Sequence, residues 1–129
     1  MRIEHIALWT PDLERSKDFY IRYFNGTAGD KYTNPTSLFQ SYFIRYEDGS
    51  RLEIMNRPTN HRDPGDTEDN ISGLAHFAIS VGSRERVDRL TERLRSDGYR
   101  IIRESRTTGD GYYESVILDP DDNRIEITI

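Results

Sequence analysis

Ile3-Glu4-His5-Ile6-Ala7-Leu8, near the start of the chain, returns in kind as Leu74-Ala75-His76-Phe77-Ala78-Ile79. Working outward, Asp48-Gly49-Ser50-Arg51-Leu52-Glu53-Ile54 returns as Asp121-Asp122-Asn123-Arg124-Ile125-Glu126-Ile127. His5 aligns with His76 and Glu53 with Glu126, so the chain reads as two copies of one unit. Each copy runs from a strand with His, through a helix, to strands of which the last carries Glu. The pattern predicts β-α-β-β-β twice, an α+β fold with mostly antiparallel sheet. The modules cover about 1–56 and 72–129 of one domain. Residues 57–71, rich in Pro, Gly, Asp and Asn, read as a polar linker.

The helices are marked at both ends. In the first, Thr10 is the expected N-cap, Pro11 the first helical residue, and Asp12 and Glu14 lie in the first turn. Leu13, Tyr20, Tyr23 and Phe24 recur at helical spacing, and Gly26 ends the run. In the second, Ser83 is the expected cap, Val87, Leu90 and Leu94 form the stripe, and Gly98 is the stop. Further strands are expected at Thr27–Lys31, Ser41–Tyr46, Tyr99–Arg106 and Tyr113–Asp119. Asp48-Gly49 and Asp121-Asp122-Asn123 are expected to form hairpin turns.

Strand alternation sorts the chemistry. Ile6 and Leu8 share a face, opposite Ile3, His5, Ala7 and Trp9. Leu52 and Ile54 oppose Arg51, Glu53 and Met55. Phe77, Ile79 and Val81 oppose His76, Ala78 and Ser80. Ile125, Ile127 and Ile129 oppose Arg124, Glu126 and Thr128. One face suits packing under a helix. The other places an imidazole and a carboxylate at matching points of both copies. A lone His or Glu on a strand is ordinarily a solvated side chain, and His61, in the linker without a counterpart, is read that way. The doubled His-Glu pattern sets a divalent metal site beside that reading without deciding between them: if the four residues converge in one cavity, the two carboxylates repel unless a cation holds them.

Composition narrows the function classes. The 129 residues carry a formal net charge of -5 and no cysteine. An acidic chain is a poor nucleic-acid partner. A chain without cysteine has neither disulfides nor a thiol nucleophile and is compatible with a reducing compartment. No apolar run approaches a membrane span, and no signal peptide is read at the start, so a cytoplasmic location is expected.

The segments Ile3–Phe24, Arg51–Met55, Leu74–Val81 and Leu118–Ile127 together resemble the vicinal oxygen chelate superfamily, which holds glyoxalase I, extradiol dioxygenases and bleomycin-binding proteins. The resemblance implies that the two modules form a curved, barrel-like sheet with helices on its outer face, cupping one metal ion per chain. The implied ligands are His5, Glu53, His76 and Glu126, the implied ions Ni, Zn or Co, with Mn or Fe as further possibilities. All four ligand positions are filled, as in glyoxalase I. This implies a lyase or isomerase acting on a small α-oxygenated substrate through a metal-stabilised enediolate, with Glu126 the principal base and Glu53 the other candidate. Trp9 stands where some bacterial glyoxalase I enzymes have an Arg that holds glutathione, which favours a more apolar or aromatic substrate. Arg51, Met55, Tyr112 and Tyr113 join Trp9 as candidate substrate contacts. The segment Thr108–Ser115, with glycines either side of Asp110, reads as a shaped loop or as a hairpin turn. The resemblance also implies a homodimer. The alternatives are an Fe(II) extradiol-type dioxygenase, against which the fourth ligand Glu53 argues, and a non-catalytic protein that binds a drug or aromatic compound.

Overall fold

The computed structural model describes residues 4–58, 76–109 and 111–129. Most of the expected linker, with His61, lies outside the described residues, as does Asp110. The chain divides into two compact units, Met1–Asp69 and Asn70–Ile129.

The first unit contains β1 (His5–Trp9), α1 (Leu13–Phe24), β2 (Thr27–Ala28), β3 (Tyr32–Thr33), β4 (Gln40–Arg45) and β5 (Arg51–Asn56). Its sheet runs β1-β5-β4-β2, and β3 also pairs with β4. Only β1 and β5 are parallel neighbours; the other pairs are antiparallel. Leu8, Ile44, Leu52 and Ile54 are buried on one face of this sheet, and α1 contributes Leu13, Phe19, Tyr20, Tyr23 and Phe24 to the same core. The second unit contains β6 (Phe77–Ser80), α2 (Arg84–Ser96), β7 (Ile101–Thr107), β8 (Tyr113–Leu118) and β9 (Arg124–Thr128), in the sheet order β6-β9-β8-β7. Here β6 and β9 are the parallel pair. Val87, Leu94, Ile117, Ile125 and Ile127 are buried between α2 and its sheet, beside a buried hydroxyl pair, Thr91 to Ser115 at 2.6 Å. The protein is α+β, as expected. Among the described residues its strands form two sheets, one in each unit.

Several boundaries move, each for a local reason. Asp12, rather than Thr10, caps α1: its carboxylate accepts from the Arg15 N–H, where charge also complements the helix dipole. Pro11 therefore precedes the helix. Thr10 is buried instead, its hydroxyl 2.8 Å from that of Ser16, and its carbonyl accepts from the Asn56 side chain. α1 ends on Asn25 in the left-handed region, at φ 54. Gly26 serves by close approach, since a Cβ there would lie 2.3 Å from Ile44 Cγ2. The expected strand at Thr27–Lys31 shrinks to β2, because Gly29 and Asp30 favour a bend, and pairing resumes as the unforeseen β3. Ser83 caps α2 as expected. Gly98 follows it at φ +90. Both hairpin turns are present, with Gly49 at φ 86 and Asp122 at φ 62.

Glu14 ties α1 to its sheet. Lys17 Nζ at 2.5 Å, Lys31 Nζ at 3.1 Å and the Tyr42 hydroxyl at 3.0 Å all donate to it. Hydrogen bonds from Lys17 first, then Lys31, lower its pKa from the ordinary 4.5 to about 2. A depressed carboxylate stabilises the fold above its unfolded value, and that contribution is lost as pH falls through the folded one. The ions are exposed, so the contribution is at most about 1 kcal/mol. Glu14→Gln is expected to be slightly less stable at pH 7 and to lose part of the wild-type decline in stability from pH 4.5 to about 2. Urea denaturation across that window checks this.

Candidate functional site

Glu53 and Glu126 occupy equivalent places in their units. Each sits between two buried residues, Leu52 and Ile54 or Ile125 and Ile127, so alternation turns the carboxylate to the face away from the helix. In the parallel register Glu53 lies across from Ala7 and Glu126 across from Ala78. The histidine stands two residues before that alanine in both units, on the same face. Each alanine methyl leaves room over which imidazole and carboxylate approach diagonally. His5 Nε2 lies 3.8 Å from Glu53 Oε2, and His76 Nε2 lies 3.2 Å from Glu126 Oε2. The carboxylates are the more enclosed partners, at 16% and 20% side-chain exposure against 37% and 45% for the histidines.

The surroundings of the two pairs differ. In the first unit the Phe43 ring, across from Glu53 on β4, meets His5 edge-on at 5.4 Å. The Arg51 guanidinium lies 4.3 Å over Phe43 and pairs with Glu4. The other Glu4 oxygen is 2.5 Å from His5 Nδ1. The hydrogen bond from His5, then that from Arg51, holds the Glu4 carboxyl below its usual range. Further along the sheet Trp9 is in register with Met55, is 45% exposed, meets Phe39 edge-on at 6.1 Å and has Arg57 stacked 4.7 Å from its ring.

In the second unit Val116 lies across from Glu126, and Arg124 and Thr128 flank it on its face. The structure does not bring Tyr113 there. Its hydroxyl donates to Asp88 Oδ1 of α2 at 2.8 Å, Arg84 covers its ring, and the bond to Asp88 raises its pKa. Tyr113 therefore lies on the helix side, at the rim of an open cleft of about 350 Å³ that Asp88, Glu92, Arg95 and Glu104 also line. Tyr112 is exposed in the hairpin turn, where the Thr108 N–H donates to its carbonyl and the Gly111 N–H to that of Thr108.

Three residues around the pairs were not singled out in the sequence. Phe43 becomes visible only once the register of β4 on β5 is known. Glu4 is marked by contrast alone, since the matching residue is Ala75. Asp119 shapes the turn before the strand that bears Glu126: one of its oxygens accepts from the Asp121 and Asn123 N–H groups, the other from the Asn123 side chain.

Among the described residues no group of three or more His, Asp or Glu side chains forms a metal-binding cluster. Each unit holds one imidazole and one carboxylate, a nitrogen-oxygen donor pair suited to a divalent transition ion. An imidazole lone pair and a carboxylate oxygen facing each other repel unless a proton or a cation lies between them. The donor set thus fits a cation.

A two-unit α+β chain built on such matched pairs belongs to a definite class. Residues 2–127 match the model of the Glyoxalase/Bleomycin resistance protein/Dioxygenase superfamily, and the chain belongs to that family. It is 28% identical over 128 residues to the uncharacterized protein YqjT of Bacillus subtilis strain 168, covering 97% of this chain and 96% of that one. Its fold is similar to a glyoxylase/bleomycin resistance protein/dioxygenase domain from Frankia sp. EAN1pec, with TM-score 0.83, 19% identity, and coverage of 100% and 97% of the two chains. It is also similar in fold to glyoxalase I from Zea mays, with TM-score 0.80 and 23% identity, covering 98% of this chain and 44% of the maize chain.

Asp119 is buried, so its removal strands the backbone donors it serves. Asp119→Ala is expected to cost about 2 kcal/mol in chemical denaturation, with Asp119→Asn recovering part of the loss.

Proposed function

We propose that this protein is a metal-dependent, glyoxalase I-like lyase or isomerase acting on a small α-oxygenated substrate, with His5, Glu53, His76 and Glu126 holding one divalent ion per chain. The observation that carries this reading is the matched register of the two pairs, Ala7 across from Glu53 and Ala78 across from Glu126. Membership of a superfamily that includes glyoxalases supports it, as does the fold shared with glyoxalase I. Nickel, zinc or cobalt suits the mixed donors best, ahead of manganese and iron. The bound ion would stabilise negative charge on the substrate oxygens.

The chain's own part is proton movement and binding. Glu126 takes the proton from the hydroxyl-bearing carbon and returns it at the neighbouring carbonyl carbon, while the hydroxyl proton passes to the neighbouring oxygen, so hydroxyl and carbonyl exchange places and the net change is an isomerisation. Glu53 completes the ligand set and is the second candidate base. Trp9 and Met55 offer an apolar wall, which favours a substrate less polar than a glutathione adduct. The proposal includes a homodimer working in the cytoplasm, a compartment suited to a chain without cysteine.

A second reading rests on exposed Trp9 and Tyr32, both in contact with half-buried Phe39, a group that suits an aromatic ligand held without chemistry. Trp9 is the one tryptophan of the chain, so its fluorescence reports that face alone.

Chelator-stripped protein reconstituted with each ion in turn, then assayed by elemental analysis, should bind close to one equivalent per chain and lose it in Glu53→Ala. With the ion at saturation, Glu126→Gln should slow exchange of the substrate carbon-bound proton with deuterated solvent by about a hundredfold or more. No uptake of any of the five ions would sink the metal-dependent reading. Trp9 quenching by aromatic compounds that survives chelation would then put the binding reading in its place.

A further inference from the structure

The two halves carry the same ligand types but hold their histidines differently. Glu4 Oε2 lies 2.5 Å from His5 Nδ1, and Glu4 Oε1 pairs with Arg51 Nη2. Arg51 is itself fixed, its guanidinium stacked on Phe43, whose edge in turn faces His5. Arg51 faces His5 across the parallel pair, so backbone register brings guanidinium and imidazole to one place. The second half has Arg124 at the position matching Arg51, but its counterpart of Glu4 is Ala75, whose methyl group accepts no hydrogen bond.

We propose that Glu4, clamped by Arg51, is a positioning residue that fixes the neutral His5 imidazole in its Nδ1–H form and leaves Nε2 as the donor atom facing Glu53, and that among the described residues the first half alone carries this device. A carboxylate cannot donate to imidazole, so a bond to Nδ1 requires the proton on Nδ1. The lone pair then sits on Nε2, on the Glu53 side. The 3.8 Å gap from Nε2 to Glu53 is too long for a direct hydrogen bond and leaves the lone pair uncommitted. A carboxylate behind a histidine ligand orients the ring and raises its basicity, and loss of such a partner typically weakens metal affinity 10- to 100-fold. The ion-binding consequence rests on the function proposed above; the tautomer does not. The first half is thereby the prepared half, and His76 must select its donor nitrogen without a carboxylate from the preceding residue.

Long-range proton-nitrogen NMR of the metal-free protein above the titration range of histidine tests the device directly. The wild type should show His5 as Nδ1–H, and Glu4→Ala should return it to the Nε2–H form common in free imidazoles, with His76 unchanged. Glu4→Gln, whose carbonyl still accepts from Nδ1, should keep the wild-type tautomer. Cobalt titration followed by absorbance should then give affinity about 10- to 100-fold lower for Glu4→Ala, with substantial recovery in Glu4→Gln. A wild-type His5 in the Nε2–H form would overturn the inference, as would cobalt affinity of Glu4→Ala within twofold of the wild type. An Nδ1–H His5 in a protein that takes up no ion would uphold the device and bring down the metal-dependent function instead.

Discussion

The structure depends on one constraint, the parallel pairing of the first and last strands within each unit. β1 lies beside β5 and β6 beside β9, whereas every other strand pair is antiparallel. A parallel neighbour needs a crossover, and the helix with its following strands supplies it. The helix covers one sheet face, so Leu52, Ile54, Ile125 and Ile127 must point toward it. A slip of one residue in either pair would turn these side chains into solvent and bring Glu53 or Glu126 under the helix. The burial of four aliphatic side chains therefore fixes where two carboxylates stand. Histidine-glutamate proximity follows from core packing rather than from any attraction between the two groups.

That link explains how much could be read from sequence. The alternation in RLEIM and RIEIT is strong, because each acidic residue is flanked by residues that only a core accepts. The repeat then aligned the halves, matching His5 with His76 and Glu53 with Glu126. Legibility was poorer where the determinants are tertiary. Thr10 looks like a cap until Ser16 and Asn56 are seen to claim it, and Asp12 competes for the same turn with a full negative charge. Tyr113 was read as a substrate contact from its place beside a glycine-rich turn. Strand parity sends it to the helix, with Ser115 and Ile117 on its face, while Glu114, Val116 and Leu118 alternate to the other. Parity could have been counted from Ser115, had the burial of that serine against Thr91 been foreseeable.

Equal ligand identities do not make equal ligands. Glu53 faces an aromatic ring across the sheet and Glu126 an aliphatic side chain, and the aromatic ring also bears on His5. Phe43, edge-on to the ring, and Glu4, bonded to Nδ1, restrict the rotamers of His5. Restricting a ligand before the ion arrives removes an entropy cost from binding, the general benefit of preorganisation. The same restriction slows a ligand that must leave. The divergence at position 4 against position 75, together with Phe43 against Val116, makes His5 the more restrained histidine, so in the proposed reaction the first half is the one prepared to hold the ion.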